Sequence, residues 1–322
     1  MPCVSVIVPN YNHARFLPQR LETVLRQSYS DMEVIVLDDA STDTSRDIIM
    51  RYADDPRVRV AFRDVNSGNP CSQWNAGVRL ATGEFVWIAE SDDYADLNLL
   101  QTLVQILRQQ PETGLVYCES TVVDDENQKV GSAADWSSQV DAERWKAPFT
   151  NDGRDECARY FVVQNLIPNA SAVVFRRELY NHIGGADETY TMAGDYELWS
   201  RMLLNTHLAF TPDRLNYFRA HQASVRNMYH TGIKYIEEDY SILDMIRSRV
   251  TVPTASLQLA LDRRLNSWAY LHLIQQPRID WTLNWNVYRR ARRSDTTLHR
   301  RLASYWHSHL RRVRPHPNRF HA

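Results

Sequence analysis

The sequence predicts an α/β fold, a sheet of largely parallel strands flanked by helices, and three observations carry that expectation. Short apolar runs alternate with stretches of helical period along the first hundred residues, the pattern that joins parallel neighbours by right-handed crossovers. Three of those runs end in polar clusters, at Pro9 to Asn12, Asp38-Asp39 and Glu90 to Asp93. Ligands of open α/β sheets bind beyond the carboxyl ends of the strands. The chain, 322 residues with 43% apolar and 24% charged side chains, has room for one large domain with appendages or for two domains.

The first strand is expected at 4–8, a Val-Ser-Val-Ile-Val run stopped by Pro9-Asn10-Tyr11-Asn12. Phe16, Leu17, Leu21, Val24 and Leu25 then recur at helical spacing, and the run at 33–37 follows as the second strand. Ser41 to Asp43 are placed to cap a helix over 44–53, whose apolar positions are Ile48, Ile49 and Tyr52. A third strand at 58–62 leads through a polar loop at 66–70 into a helix carrying Trp74 and Val78, ended by Gly83. The fourth strand spans 85–89 and an amphipathic helix covers 97–109. Further strands are expected at 115–118 and 172–175, and a helix at 196–204, while 135–149 shows no period. From about Ile233 the chain reads as helical, broken at Pro253. Trp199 and Leu203 sit four apart on the 196–204 helix and are expected in the core.

Composition excludes several classes. Ten glycines are few against the roughly 20 of an average chain. Neither G-x-G-x-x-G nor G-x-x-x-x-G-K-[ST] occurs, so a dinucleotide loop and a Walker loop are both poor readings. Cys3, Cys71, Cys118 and Cys157 have no metal-ligand spacing and are expected as reduced thiols. The N-terminus has no signal-peptide pattern and no apolar window is long enough to span a bilayer. These features suggest a cytoplasmic protein.

Net charge is uneven. From 281 to 322 there are ten arginines against one acid, Asp295, a balance of +9 that leaves −11 for the first 280 residues. Within that acidic body, two carboxylate clusters end neighbouring strands with no lysine between them. Like charges so placed repel and raise one another's pKa unless a cation intervenes. Carboxylate, water and phosphate oxygens suit Mn²⁺ or Mg²⁺, which commonly takes one or two protein carboxylates and completes its shell from a substrate's phosphates. A nucleoside diphosphate would complete such a site without a glycine loop. The plainer alternative is that both aspartate pairs merely cap helices at solvated strand ends.

The strings Val4 to Asn12, Val34 to Asp43, Asn75-Ala76-Gly77 with Ala81 to Glu84, and Glu90 to Asp93 together resemble family 2 glycosyltransferases of the GT-A fold, over about residues 3–225. The resemblance implies a GT-A catalytic domain at 1–230, a Rossmann-like mixed sheet flanked by helices, with a nucleotide-binding half at 1–95 and an acceptor half at 96–230, followed by a helical extension at 231–322. It implies that Pro9 and Tyr11 pack around a nucleotide base, that Asp39 accepts a hydrogen bond from the base, and that Asp38 supports the turn. Glu90-Ser91-Asp92-Asp93 stands where the family has its D-x-D element, so Asp92 and Asp93 would hold the metal, Asp92 also touching the ribose. Glu90 stands where aspartate is usual and is a further metal-ligand candidate, its extra methylene leaving it able to ligate through water. Trp74 stands where arginine is common, and Ala40 where glycine is frequent, a position at which a positive φ is expensive for alanine.

Gly194-Asp195-Tyr196-Glu197-Leu198-Trp199-Ser200-Arg201 resembles the family's E-D-x-x-x-W-x-R signature, with Gly194 in place of glutamate. Asp195 is then the catalytic base, which takes the acceptor hydroxyl's proton in a single inverting displacement. Asp195 capping the helix is the structural alternative, and the two roles are compatible. Tyr217 to His221 resembles a Y-R-x-H element placed after the last core strand. It suggests His221 as a further metal ligand or a structural hydrogen-bonding residue, and Arg219 as a diphosphate contact. Leu298, Leu302, Tyr305, Trp306, Leu310 and Val313 at helical spacing beside Arg300, Arg301, Arg311 and Arg312 suit either an anionic membrane surface or packing on the catalytic domain. No nucleic-acid recognition motif is present. The expected activity is an inverting, metal-dependent transfer of sugar from a nucleoside diphosphate donor of the UDP, dTDP or GDP type. A glycan or lipid-linked acceptor of cell-surface polysaccharide synthesis would receive it. A sugar-1-phosphate nucleotidyltransferase, which would want a basic glycine-rich loop, and a silent sugar-nucleotide-binding scaffold are the alternatives.

Overall fold

The computed structural model describes residues 2–167, 169–220, 229–274 and 281–313. The first half follows the expected alternation: β1 (Val4–Asn10), α1 (Leu17–Leu25), β2 (Met32–Asp38), α2 (Ser45–Met50), β3 (Val58–Phe62), α3 (Pro70–Leu80) and β4 (Phe85–Ile88). β1 pairs in parallel with both β2 and β4, and β2 with β3. Apolar side chains fill both faces of this region. Along β1, Val4, Val6 and Val8 join the layer of Leu17, Leu21 and Val24 from α1, while Ile7 points to the opposite layer with Trp74 and Val78. α3 lies so close to β1 that a Cβ on Gly77 would come within 2.3 Å of Ile7 Cγ2, which explains the glycine of the Asn75-Ala76-Gly77 motif.

Beyond β4 the sheet changes character. β5 (Tyr94–Ala95), α4 (Leu99–Gln109), β6 (Thr113–Val123), β7 (Lys129–Ser132), α5 (Ala134–Ser137), β8 (Phe149–Asp152), α6 (Gly153–Glu156), β9 (Val173–Arg176), α7 (Arg177–His182), α8 (Gly194–Leu203) and β10 (His207–Arg219) follow. The sheet runs β3-β2-β1-β4-β9-β6-β10-β5, with β7 on β6 and β8 on β10. β9 is antiparallel to both of its neighbours, so the sheet is mixed. The 135–149 stretch, which shows no period, forms α5 and a 3₁₀ turn at Arg144–Lys146 and enters β8 at Phe149. Tyr217 and Arg219 lie inside the end of β10 rather than after it, and Tyr217 stacks on Tyr94 at 4.4 Å between ring centroids.

Four helices complete the described chain: α9 (Tyr229–Arg249), α10 (Thr254–Ile274), α11 (Trp281–Ser294) and α12 (Leu298–Val313). Ile236, Tyr240, Leu243 and Ile246, the face expected from the sequence, are buried in the same apolar cluster as Trp199, Leu203 and Phe161. Arg264 of α10, fully buried, pairs with Asp239 of α9 and donates to the Val162 carbonyl at 2.9 Å. The helical extension therefore shares a core with the sheet. All four cysteines are free and buried. Among the described residues no helix is long and apolar enough to cross a membrane.

Candidate active site

The ends of β1 and β2 are cross-tied. Asp38, fully buried, accepts from Asn10 Nδ2 at 3.1 Å, from the Ser41 N–H at 3.1 Å and from Arg46 Nε at 2.9 Å. That arrangement suits support of the turn. Asn12 Oδ1 accepts from the Thr42 N–H at 2.7 Å, and Asp43 rather than Ser41 receives a first-turn N–H of α2, that of Ser45 at 2.9 Å. Ala40 takes φ +60° despite its side chain, so the turn does use the left-handed region. For an L-residue that conformation is unfavourable by about 1–2 kcal/mol.

Asp39 is turned toward the 66–70 loop. Its carboxylate accepts from the Ser67 N–H at 3.0 Å and from Ser67 Oγ at 2.6 Å, with Arg63 3.6 Å away. Ser67 Oγ also reaches the Asn69 carbonyl, and Asn69 Nδ2 donates to the Glu188 carbonyl at 2.6 Å. This loop bridges the β2 end to the segment that precedes α8. Tyr11 is solvent-exposed and Pro9 is buried in β1.

The second cluster is built around Arg20 of α1, which is fully buried and stacks on Trp87. Its Nε donates to the Glu90 carbonyl at 2.8 Å and one terminal nitrogen to Ser171 Oγ at 3.1 Å. Asp93 Oδ2 lies 3.9 Å from that nitrogen. Loss of water pulls the guanidinium down to about 10 in spite of the acids around it. Asp93 accepts from the Arg219 N–H at 2.9 Å; burial, then the neighbouring Asp92, raises its carboxyl. Glu90 is pushed up to about 8, again by burial first and Asp92 next, and its Oε1 accepts from Trp74 Nε1 at 2.8 Å. Two of the three acids are thus held where a neutral form or a nearby cation is favoured.

Arg219 is nearly fully buried and directed at the same loop. It donates to the carbonyls of Asp92 at 2.8 Å and Asp124 at 2.7 Å, and to the side chains of Gln19 and Asn127. These contacts engage four of its five guanidinium N–H groups. His221 lies outside the described residues.

Asp195 sits in the first turn of α8, while the N-cap position is Ala193, whose side chain caps nothing. Asp195 Oδ1 accepts from the Tyr196 N–H at 2.8 Å and Oδ2 from Asn165 Nδ2 at 3.0 Å. The aspartate therefore helps the helix start, from inside the first turn. Trp199 and Leu203, further along, are fully buried, as expected of core residues.

Glu90, Asp92, Asp93, Asp195 and Arg219 all line one open pocket of about 210 Å³, with Trp74 and Cys71 on one wall and Tyr190 to Met192 on another. The carboxylate rim and Asp195, a hundred residues apart in sequence, face the same space. Residues 5–184 match the model of the family described as Glycosyl transferase family 2. The chain belongs to that family.

This glycosyltransferase is 27% identical to the glycosyltransferase GlyG of Streptococcus pneumoniae over 242 residues, 69% of this chain and 72% of GlyG. Over 99 residues it is 35% identical to the poly(ribitol-phosphate) beta-N-acetylglucosaminyltransferase TarS of Staphylococcus aureus, 30% of this chain and 17% of TarS. Among solved structures, TarS residues 1–349 in complex with UDP-GlcNAc superimpose with a TM-score of 0.64 at 19% identity, covering 89% of this chain and 79% of that one. The mannosyltransferase PcManGT from Pyrobaculum calidifontis, in complex with GDP-Man and Mn²⁺, gives 0.56 at 20% identity over 91% and 74%. The fold is of the GT-A type.

Several residues that support the site of this glycosyltransferase carry no signal of their own in the sequence. Arg20 reads as one more polar position of an amphipathic helix, and Ser171 as part of a strand entrance. Yet Ser171 Oγ accepts from the Glu90 N–H at 3.0 Å and from Arg20, and its hydroxyl serves Asp93. His13 Nδ1 lies 2.8 Å from Ser91 Oγ, and Asn165 reaches Asp195 from the loop before β9. A charged residue at a buried helix position, such as Arg20 between Leu17, Leu21 and Val24, is the one trace of this network that periodicity offers.

Proposed function

We propose that this glycosyltransferase transfers a sugar from a nucleoside diphosphate donor with inversion, and that Asp195 is the base. The observation that carries this reading is the single pocket shared by Asp195 and the Glu90 to Asp93 rim. Asp195 takes the proton of the acceptor hydroxyl as its oxygen bonds to the anomeric carbon. The bond from that carbon to the diphosphate breaks, and its electron pair leaves with the nucleoside diphosphate. One displacement on one face inverts the centre. Pro9, Tyr11 and Asp39 are assigned to the base of the nucleotide and Asp38 to the turn. TarS and PcManGT, structures bound to UDP-GlcNAc and GDP-Man, support a donor of this class.

Among the described residues no three acidic, histidine or cysteine side chains are grouped as an ion cage. Two carboxylates with diphosphate oxygens and water are nonetheless a donor set that Mn²⁺ or Mg²⁺ accepts. Asp92 and Asp93 would hold the ion, with Glu90, tied to Trp74, further out and His221 a candidate additional ligand. The bound ion would neutralise charge developing on the departing diphosphate. Calorimetry of UDP, GDP and dTDP with and without Mn²⁺ tests the reading: metal-dependent binding of one of them is expected, and no binding of any would overturn it.

The acceptor is proposed to be a glycan or lipid-linked molecule, reached at an anionic membrane surface. In α11, Asn284, Val287, Ala291 and Ser294 are buried, and the helix packs on α9. Trp281 and Trp285, 76% and 59% exposed, continue into the exposed Arg289 and Arg292 on another stripe of the helix. The helix thus packs and still offers an aromatic, basic face of the kind that settles at a lipid interface. Co-sedimentation with vesicles rich in anionic lipid should succeed, fade with salt and drop in a Trp281→Ala/Trp285→Ala variant; equal recovery of both proteins would remove the membrane from the reading.

A further inference from the structure

The loop that delivers Asp195 is held by a residue of the C-terminal helices. Glu238, on α9 and 4% exposed, accepts four hydrogen bonds from that loop. Oε1 receives the Thr191 N–H at 3.0 Å and Thr191 Oγ1 at 3.1 Å, and Oε2 receives the N–H groups of Met192 at 2.9 Å and Ala193 at 2.8 Å. Lys234, one turn earlier on α9, stands 3.9 Å from Oε1.

Three successive main-chain donors converging on one carboxylate form a strong and directional restraint, because hydrogen bonds to a charged acceptor exceed neutral ones by about twofold. The restrained residues matter for position. Thr191 and Met192 line the pocket, Ala193 is the N-cap of α8, and Asp195 is two residues further on. Ala193, the N-cap, has no side chain that caps α8; Asp195 takes the Tyr196 N–H from inside the first turn, and the N–H of Ala193 itself is held by a distant element.

We propose that Glu238 is a positioning residue: it fixes the 191–193 backbone and so sets where the Asp195 carboxylate stands in the pocket, which makes α9 part of the active site. The catalytic half of this inference rests on Asp195 being the base. The structural half does not.

Amide hydrogen exchange tests the restraint without any substrate. In the wild-type protein the Thr191, Met192 and Ala193 amides, in a loop where Thr191 is itself exposed, should exchange at least about 100-fold more slowly than in an unstructured peptide. In Glu238→Gln, which keeps the shape but turns an NH₂ toward the donors, they should speed up by at least about tenfold. The amides of β1 and β4 should keep their protection. Exchange at 191–193 at the unstructured rate in the wild type, or unchanged in the variant, overturns the proposal. With the donor that the wild type turns over, Glu238→Gln should lower kcat at least about tenfold while the donor KM stays within twofold, and Glu238→Asp should recover part of it. An unchanged kcat beside accelerated exchange would also overturn it. Should Glu238→Gln fail to fold, the wild-type exchange rates and Glu238→Asp decide the matter. A wild type that turns over no nucleotide sugar counts against the glycosyl-transfer reading and leaves the exchange result standing.

Discussion

Trp74 Nε1 donates to Glu90 Oε1 at 2.8 Å, a bond between α3 and the end of β4 on the lining of the pocket. The indole meets the carboxyl with a hydrogen bond at a site where burial already disfavours the carboxylate. Trp74→Phe keeps the aromatic packing and removes the donor, leaving the Glu90 oxygen unmatched. Stability should fall by about 1–3 kcal/mol, read from urea midpoints at constant m. A midpoint equal to wild type would show that the hydrogen bond contributes nothing.

Asp195→Asn should lower sugar transfer by about 10²–10⁴-fold, the usual contribution of a general base. Nucleoside diphosphate binding should be retained, because the proposed donor contacts lie on the Glu90 to Asp93 rim rather than at Asp195. Asparagine at 195 has a single acceptor, so it can keep the Tyr196 N–H but turns its NH₂ toward Asn165 Nδ2, and Asn165 Oδ1 already accepts from the Ile167 N–H; stability should fall by about 0.5–1.5 kcal/mol. Full transfer by this variant would remove Asp195 from the mechanism.

The first four strands, the α9 face and the convergence of strand ends were legible in the sequence because each has a period or a motif confined to a dozen residues. In the mixed half, the strands expected at 115–118 and 172–175 are present as β6 and β9, but their pairing was not legible. β9 lies between β4 and β6, and the β7 and β8 pairings are likewise set by contacts across long loops rather than by local pattern. In the site, the acids were visible and their supports were not: Arg20, Ser171 and Glu238 act through partners 70, 81 and 45 to 47 residues away. A restraint of that kind leaves no mark in sequence spacing.

Glu33 gives a pH dependence whose sign can be fixed. Burial alone would raise its carboxyl, but hydrogen bonds from Thr82 and Ser5, with Arg59 beyond, hold it below the usual carboxylate range. Three of these are 2.7 Å long, from the Thr82 N–H, Thr82 Oγ1 and Ser5 Oγ. A folded-state pKa below the unfolded value means that the unfolded chain binds more protons in that window. The stabilisation is therefore fully present above the unfolded pKa of about 4.3 and disappears as pH falls through the folded value. Glu33→Gln should lose about 1–3 kcal/mol at pH 7 and flatten the acid limb of the stability curve. An acid limb unchanged by the substitution would assign that limb to other carboxylates.

Ala40 at φ +60° predicts a stabilising change. Glycine relieves about 1–2 kcal/mol of steric conflict at such a position but brings about 0.5–1 kcal/mol of extra chain entropy to the unfolded state. Ala40→Gly should therefore raise stability by about 0.5–1 kcal/mol, whereas Ala40→Val should lower it. The opposite order in urea denaturation would mean that the turn relaxes out of the left-handed region.

Gly194 and Cys71 form a second linked pair at the pocket wall. A Cβ on Gly194 would lie 2.5 Å from Cys71 Sγ, about an ångström inside van der Waals contact, so a side chain at 194 requires Cys71 or α8 to move. Gly194→Ala alone should cost about 1–3 kcal/mol, the range for overpacking a filled interior, and should disturb the Asp195 turn next to it. Cys71→Ala removes the sulfur and should cost less. In the double variant the clash is gone, so its stability should approach that of Cys71→Ala alone, a coupling of at least about 1 kcal/mol in a double-mutant cycle. Additive effects would show that α8 shifts away from α3 to admit the methyl group. Sulfur and glycine would then be independent features of the wall rather than one packing arrangement shared between two helices.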